Sequence, residues 1–271
     1  MTGAEPEIVV AIHGGTLRYG ERSLFNDLQL RVRAGEFVAV LGPNGVGKTS
    51  LLRVMLGLEP LSEGTVLMCG QEPRAARKQI GYIPQQRAFD RDLPIRGRDL
   101  VQFGLDGSRP GLARSTRRSR DAVDAALAAV GALSFADAPL GTLSGGEQQR
   151  LRIAQALLTN PEVLLCDEPL LSLDPTNQQT VCQLLDERRR SAQTAVIFVT
   201  HEINPVLPYV DRVLYLAGGK WSVGTPADVL TTSKLSKLYD SPVEVVHVGN
   251  RIVIVGGDGS YHHEHRTART R

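Results

Sequence analysis

The segment from Phe37 to Thr49 places the strongest constraint on what this chain can fold into. An apolar run, Phe37-Val-Ala-Val-Leu41, predicts a buried strand, and Gly42-Pro-Asn-Gly-Val-Gly-Lys-Thr49 follows it with the pattern G-x-x-x-x-G-K-[ST]. Glycines let backbone N–H groups turn inward around phosphate oxygens, Lys48 adds a positive charge, and the Thr49 hydroxyl can reach a magnesium ion. A glycine-rich turn that only caps a helix is the alternative, and the Lys-Thr pair argues against it. The segment therefore predicts a site for nucleotide phosphates.

A second anion-binding pattern lies far along the chain, since Lys48 and Ser144 are 96 residues apart. Leu143-Ser-Gly-Gly-Glu147 is a Ser-Gly-Gly turn that opens a predicted helix, and helix N-termini attract anions. Two predicted phosphate-binding segments this far apart in one chain suggest a site that two subunits share.

An acidic pair, Asp167-Glu168, lies at the end of the predicted buried strand Glu162–Asp167. Ligands of open α/β sheets bind in the crevice beyond the carboxyl ends of the strands, which is where this pair would project. Asp167 is placed to hold magnesium, directly or through water, and Glu168 points elsewhere, where it could act as general base on the attacking water. A carboxylate pair that merely caps the turn before Pro169 is the alternative.

The order of these motifs resembles one family. Intervals of 96, 23 and 34 residues separate, in order, Lys48, Ser144, Asp167 and His201. Together with Leu143-Ser-Gly-Gly-Glu-Gln-Gln-Arg150, this order resembles the ATP-binding subunit of ABC transporters over residues 8 to about 240. Glu147 stands where that family usually has Gln, and Thr49-Ser50 where it usually has Ser-Thr. The family's 143–147 segment binds the γ-phosphate of ATP held by the opposite subunit, so the resemblance implies a head-to-tail homodimer.

The resemblance also assigns roles to single residues. Tyr19 matches the aromatic residue that stacks on adenine, and Gln85 matches the glutamine that senses magnesium and the lytic water and links to the permease. Asp174 matches the acidic residue of the D-loop, and His201 matches the switch histidine that contacts the γ-phosphate. Taken singly, a core tyrosine, a solvated glutamine and a surface histidine are the alternatives.

The motifs and the resemblance together predict a site for ATP and Mg²⁺. The predicted catalytic residues are Glu168, His201, Lys48 and Gln85, and the predicted magnesium ligands are Thr49, Gln85 and Asp167. The predicted ATP-binding residues are Tyr19, Gly42, Pro43, Asn44, Gly45, Val46, Gly47, Lys48, Thr49, Ser50, Leu143, Ser144, Gly145, Gly146, Glu147 and Asp174.

Composition narrows the class of protein. A net charge of +2 gives no reason to expect a nucleic-acid partner, and 42% hydrophobic with 22% charged residues is ordinary for a globular chain. The first residues lack a basic region followed by a long apolar stretch, and no run reaches the roughly 18 apolar residues that span a bilayer. Nine arginines between Arg87 and Arg120 predict a solvated face or a contact with lipid headgroups or a partner.

Strand and helix patterns alternate along the chain, which predicts an α/β protein with a parallel sheet covered on both faces. Helical spacing predicts helices over Thr49–Leu58 and Arg120–Leu133. The resemblance implies a P-loop NTPase fold of the ABC ATPase type, with a parallel RecA-like sheet, an N-terminal antiparallel β subdomain and an inserted helical subdomain.

The predicted domain boundaries follow from the same patterns and the resemblance. The ABC ATPase domain is predicted over residues 1–240, with the helical subdomain inserted at about 87–149. Two strand patterns around Gly249-Asn250 predict a β-hairpin extension at 241–256. Residues 257–271, rich in His and Arg and without periodicity, are predicted to be a disordered tail.

Two segments, Gly81–Pro94 and Pro205–Leu216, are similar to the corresponding segments of zinc/manganese importers. The tail cluster His262, His263 and His265 could bind a transition metal, or be solvated.

The resulting prediction is an ATP-hydrolysing subunit that powers uptake of zinc or manganese through a separate integral membrane permease. It would act at the cytoplasmic face of the membrane, together with an extracytoplasmic substrate-binding protein. The alternatives are an importer of a siderophore or amino acid, an exporter, or a soluble ABC protein acting on ribosomes or DNA.

Overall fold

The computed structural model describes residues 7–85, 90, 93–106 and 116–256. The predicted tail at 257–271, with its three histidines, lies outside the described residues, as do parts of the arginine-rich stretch between Arg87 and Arg120.

The described residues form an α/β fold with two main sheets. The strands are β1 (Ile8–Tyr19), β2 (Arg22–Arg33), β3 (Phe37–Leu41), β4 (Glu63–Met68), β5 (Ile80–Ile83), β6 (Val163–Asp167), β7 (Ala195–Val199), β8 (Arg212–Ala217), β9 (Lys220–Gly224), β10 (Val243–Val248) and β11 (Arg251–Gly256). The helices are α1 (Lys48–Met55), α2 (Gly97–Asp106), α3 (Arg117–Ala129), α4 (Gly145–Leu157), α5 (Pro175–Ala192), α6 (Pro226–Val229) and α7 (Thr232–Tyr239).

The central sheet has six strands in the order β5-β6-β7-β3-β8-β9, and all of its neighbouring pairs are parallel except β8 with β9. Every residue of β3, β6 and β7 is buried, as parallel strands covered on both faces require. Because β3, β6 and β7 run in the same direction, the segments that follow them begin at one edge of the sheet. The predicted parallel sheet is confirmed.

A second sheet, in the order β2-β1-β4, is antiparallel. Its long strands alternate exposed and buried residues, so that one face packs on the core. Its core side chains, among them Phe25 and Leu28, belong to the same buried cluster as Leu51 and Leu52 of α1. The predicted N-terminal antiparallel sheet is confirmed, and it covers one side of the phosphate-loop helix.

Two predicted helices have wrong ends. The first ends at Met55 rather than Leu58, because Gly57 adopts a left-handed conformation with φ 67°. The second runs over Arg117–Ala129 rather than Arg120–Leu133: the Thr116 side chain caps its start, and Gly131 is left-handed just past its end. Elements α2, β9, α6 and α7, each of four to ten residues, were not predicted.

An ion-pair network fastens α5 to the start of β3. Asp211 accepts hydrogen bonds from Phe37 N–H at 2.8 Å and from Arg189 Nη1 at 2.8 Å. Arg189 also donates to Asp186 on its own helix and to the carbonyl of Gly35. Because Arg189 is largely buried, these charge-assisted bonds fix how α5 lies against the sheet.

Strands β10 and β11 form the predicted hairpin around Gly249-Asn250. Their register pairs Val243 with Gly256, Val246 with Val253 and Val248 with Arg251. Every helix within the described ranges falls short of the length and apolarity that a bilayer crossing requires.

Replacing Phe198 by alanine should destabilise the fold by about 3–5 kcal/mol, the usual cost of emptying a buried aromatic site. Phe198 is fully buried in β7, and its ring centroid lies 5.7 Å from that of Phe37. Urea denaturation measures the change. Phe103→Ala on α2 is the matched control, since Phe103 is 49% exposed and its loss should cost within about 0.5 kcal/mol. Equal denaturation midpoints for the two variants would contradict the assigned core.

Candidate active site

The loop between β3 and α1 is shaped by glycines that no other residue can replace without moving the backbone. Gly42 has φ 139°, and a Cβ there would lie 2.1 Å from the carbonyl oxygen of Leu216. Gly47 precedes α1 with φ 112°, and its Cβ would lie 2.9 Å from Leu24 Cβ. The loop is therefore a close-fitting backbone cradle at a helix N-terminus, a geometry suited to phosphate.

Lys48 is buried at the start of α1. Its Nζ donates hydrogen bonds to the carbonyl oxygens of Gly42 at 2.7 Å and Pro43 at 3.1 Å. Burial lowers the pKa of Lys48, and the nearby carboxylates of Glu168 and Asp167 counteract this. The ammonium is thus held inside the loop, where phosphate oxygens would be stronger acceptors than the two carbonyls.

Thr49 and Asp167 meet across the crevice. Thr49 Oγ1 donates to Asp167 Oδ1 at 3.1 Å, and the Tyr82 hydroxyl lies 3.5 Å from Asp167 Oδ2. Burial raises the pKa of Asp167, and the bond from Thr49 counteracts this. A hydroxyl and a carboxylate beside a phosphate cradle are the oxygen donors that Mg²⁺ prefers, so this donor set fits the ion.

Glu168 faces a different group of side chains from Asp167. Its backbone is left-handed, with φ 46°, and its N–H donates to the Val199 carbonyl. Its Oε2 lies 3.3 Å from Gln85 Nε2 and 3.7 Å from His201 Nδ1. The interaction with His201 lowers the pKa of Glu168 and raises that of His201. Glu168 is therefore held ionised, the form that can accept a proton.

The other predicted residues of the loop surround this cluster. The Tyr19 hydroxyl lies 3.3 Å from Ser50 Oγ, and its ring is exposed beside the loop. Val46 is buried under the loop, and Asn44 is exposed at its tip.

The segment 143–147 lies elsewhere in the fold. Ser144 caps α4 in a capping box: its hydroxyl accepts from Glu147 N–H at 3.3 Å, and its own N–H donates to Glu147 Oε2 at 2.8 Å. Helix α4 packs on α2, α3 and β5, whereas α1 packs on β4 and β6. Leu143 is partly buried, and its carbonyl accepts a hydrogen bond from Gln148 Nε2. Gly145, the first residue of α4, follows the cap directly.

Asp174 sits close to this segment. It caps α5 by accepting from the backbone N–H groups of Thr176 and Asn177. A Cβ on Gly146 would lie 2.5 Å from Asn177 Cγ, so the starts of α4 and α5 are in contact. Within one chain the structure thus brings together the loop, Asp167, Glu168, Gln85 and His201, while 143–147 and Asp174 form a separate group.

Sequence reasoning missed two residues that support the site. Arg22 Nη2, at the start of β2, donates to the Gly45 carbonyl at 2.8 Å and so supports the loop. Tyr82 contacts Asp167 from β5, three residues before Gln85 in the chain. No local sequence pattern marks Arg22 as a site residue, whereas Tyr82 lies in the strand that leads to the predicted site residue Gln85. A cavity of about 210 Å³ beside Glu168 and His201 completes the crevice.

Fold and site together define an ATP-hydrolysing P-loop protein. A sequence profile described as ABC transporter matches residues 25–171. The chain is 32% identical to the manganese transport system ATP-binding protein of Halalkalibacterium halodurans, covering 91% of this chain and 98% of the relative. It is 35% identical to a zinc import ATP-binding protein of Cereibacter sphaeroides, covering 85% and 88%. The chain belongs to the ABC transporter family as an ATP-binding subunit and ATPase.

Solved structures agree on the fold. One ABC transporter of proposed metal-chelate type, in an inward-facing conformation, matches with a TM-score of 0.77 at 25% identity over 92% of this chain and 96% of that one. A dimeric ATP-binding cassette bound to ADP and Pi in a post-hydrolysis state matches with a TM-score of 0.67 at 28% identity over 80% and 98%.

Replacing Gly42 by alanine should weaken ATP binding by about tenfold or more, because its Cβ would displace the loop backbone from the Leu216 carbonyl. Titration with a fluorescent nucleotide measures the affinity. Gly70→Ala is the matched control: Gly70 is also left-handed, with φ 72°, but its Cβ would meet nothing within 4 Å. A folded Gly42→Ala protein with unchanged affinity would show that the loop is not the nucleotide cradle.

Proposed function

We propose that this chain powers the uptake of a divalent metal ion, zinc or manganese, through a separate integral membrane permease. The observation that carries the proposal is that relatives named for manganese transport and zinc import align with 85% or more of the chain. An extracytoplasmic substrate-binding protein would deliver the metal, and the chain would act at the cytoplasmic face of the membrane. No nucleic acid takes part.

Hydrolysis would depend on the side chains gathered at the sheet edge. Lys48 would bind the β- and γ-phosphates, and Glu168 would accept a proton from the attacking water. Bound Mg²⁺, held by Thr49 and Asp167 with Gln85 nearby, would neutralise charge on the phosphates. His201 would orient the Glu168 carboxylate and contact the γ-phosphate, while the exposed ring of Tyr19 would stack on adenine.

A complete site would need two copies of the chain arranged head to tail. Residues Leu143 to Glu147 lie apart from the loop within one chain, which supports their action on the partner's nucleotide. The start of α4 supplies a helix N-terminus for the γ-phosphate. The related cassette bound to ADP and Pi is dimeric, which supports the pairing of two copies. Asp174, at the adjacent start of α5, would lie at the same subunit boundary.

The proposed domain division follows the predicted one. Residues 1–240 form the ATPase domain, with a helical subdomain inserted at about 87–149, and 241–256 form an extension. The packing of α2, α3 and α4 on one another supports the inserted subdomain. Gln85 would connect the site to the permease, because it lies between β5 and the segment that leads to α2.

A second candidate cargo is a metal chelate, such as a siderophore complex. The observation in its favour is the similarity to the transporter of proposed metal-chelate type. The match to that transporter covers as much of this chain as the matches to the metal-ion relatives do, but the sequence identity is lower, at 25%.

Glu168→Gln should lower ATP turnover by about 100- to 10,000-fold while ATP binding is retained, because the amide keeps the side-chain shape and cannot accept a proton. Phosphate release measures turnover, and size-exclusion chromatography with ATP should show a trapped dimer. Glu202→Gln is the matched control, since Glu202 is an exposed neighbour of His201. Turnover near the wild-type rate in Glu168→Gln would remove Glu168 from the role of base.

The cargo is tested with the chain assembled on its permease in liposomes. ATP turnover should rise when zinc or manganese is added with the binding protein, because the loaded binding protein favours the closed ATPase state. A ferric siderophore or an amino acid should leave the rate unchanged. The same assembly carrying Glu168→Gln is the negative control for ATP hydrolysis. A response to the chelate and not to the free ions would replace the proposed cargo with the second candidate.

A further inference from the structure

The C-terminal hairpin exposes an apolar face. Val246 and Val248 of β10 and Val253 and Val255 of β11 are 42–61% exposed, and the strand register places all four on the same side. We call these four residues the valine face. An exposed group of neighbouring apolar side chains on a small sheet is typical of an interaction surface.

The opposite side of the hairpin is anchored to the ATPase fold. Val243 and Ile252 are buried in the main core cluster. The Asn204 side chain accepts a hydrogen bond from Ile252 N–H at 2.8 Å and donates one to its carbonyl at 3.0 Å. The Asn204 side chain thus pairs with both backbone hydrogen-bonding groups of Ile252, as a neighbouring strand would. These bonds hold the hairpin, and with it the valine face, in a fixed orientation.

We propose that the valine face is a contact surface for a second copy of this chain, in addition to the dimer that ATP would hold together. The sequence that follows the hairpin offers few apolar side chains that could cover this face. Residues 257–271 contain only Tyr261 and Ala268 as apolar side chains. The surface goes beyond the proposed function, because it requires neither nucleotide nor permease.

Charged residues on the same side favour a copy of the same chain as the occupant. Glu244 is paired with Val255 at the open end, and Arg251 is paired with Val248 at the turn end. The two charges lie roughly 14 Å apart along the hairpin, too far to pair within one chain. A two-fold axis that stacks two valine faces with reversed strand directions brings Glu244 of each copy to the Arg251 end of the other. The face is thus complementary to itself in both apolarity and charge.

The turn of the hairpin lies near the start of α5. A cavity of about 470 Å³ separates the hairpin turn, at Asn250 and Arg251, from the start of α5 and from the segment after His201. The start of α5 carries Asp174, which the proposed dimer places at the subunit boundary. The hairpin that carries the valine face therefore has its turn across one cavity from that proposed boundary.

The first experiment is sedimentation velocity on the full chain without nucleotide, over a wide dilution series. The wild-type chain should form a dimer, and Val246→Lys or Val253→Lys should each weaken it by about tenfold or more, since each substitution occurs twice in a symmetric interface. Leu67→Lys, at an exposed apolar position on β4, is the matched control and should dimerise as wild type does. A wild-type chain that stays monomeric at every concentration would overturn the proposal, as would valine variants that dimerise normally.

A charge exchange tests the two-fold arrangement without altering the valines. Glu244→Arg and Arg251→Glu should each weaken the dimer, because each places like charges opposite one another. The chain carrying both substitutions should recover the wild-type dissociation constant to within about threefold. Failure of the double variant to recover would overturn the proposed pairing of Glu244 with Arg251.

A further measurement separates this proposal from the proposed function. Glu168→Gln combined with Val246→Lys should still form the dimer held by ATP, since that dimer uses the phosphate loop and residues 143–147. A nucleotide-free chain that is monomeric but hydrolyses ATP normally would overturn the valine-face contact alone. A nucleotide-free dimer with no ATP turnover would overturn the proposed function alone.

Discussion

The parallel pairing of β3, β6 and β7 is the constraint on which the site depends. These strands adjoin through β7, so the phosphate loop, the Asp167–Glu168 pair and the segment carrying His201 all begin at one sheet edge. A slip of one residue in either pairing would turn the strand's side chains to the opposite face. The fully buried strands and the Phe37–Phe198 contact hold the register, so the stability of the core and the geometry of the site have the same origin.

Within that edge, neighbouring residues are separated by backbone conformation. The left-handed backbone at Glu168 lets Asp167 contact Thr49 while Glu168 faces Gln85 and His201. A buried ammonium is costly unless it is paired, and Lys48 is stabilised by two loop carbonyls and two nearby carboxylates. The Lys48 ammonium is therefore compensated without nucleotide, and bound phosphates would replace the two loop carbonyls with stronger acceptors.

The two proposed contacts between copies of the chain rest on different physics. Contact through residues 143–147 would depend on bound phosphate, whereas contact through the valine face would depend on apolar burial and one charge pair. Asn204, which holds the hairpin, lies three residues after His201, so the hairpin and the proposed nucleotide site share a structural segment.

The sequence by itself determined the family and the five parallel strands of the central sheet, and it predicted the site residues, because these depend on local patterns: apolar runs, glycines at fixed spacing and acidic residues at a strand end. It placed the ends of α1 and α3 wrongly and missed α2, α6 and α7, whose boundaries depend on left-handed glycines, capping side chains and packing. Only the tertiary structure decided that Arg22 braces the loop and that Tyr82 contacts Asp167. The tertiary structure also decided that Asn204 holds the hairpin. All three contacts join residues far apart in the chain, through backbone and side-chain positions that no local sequence pattern encodes.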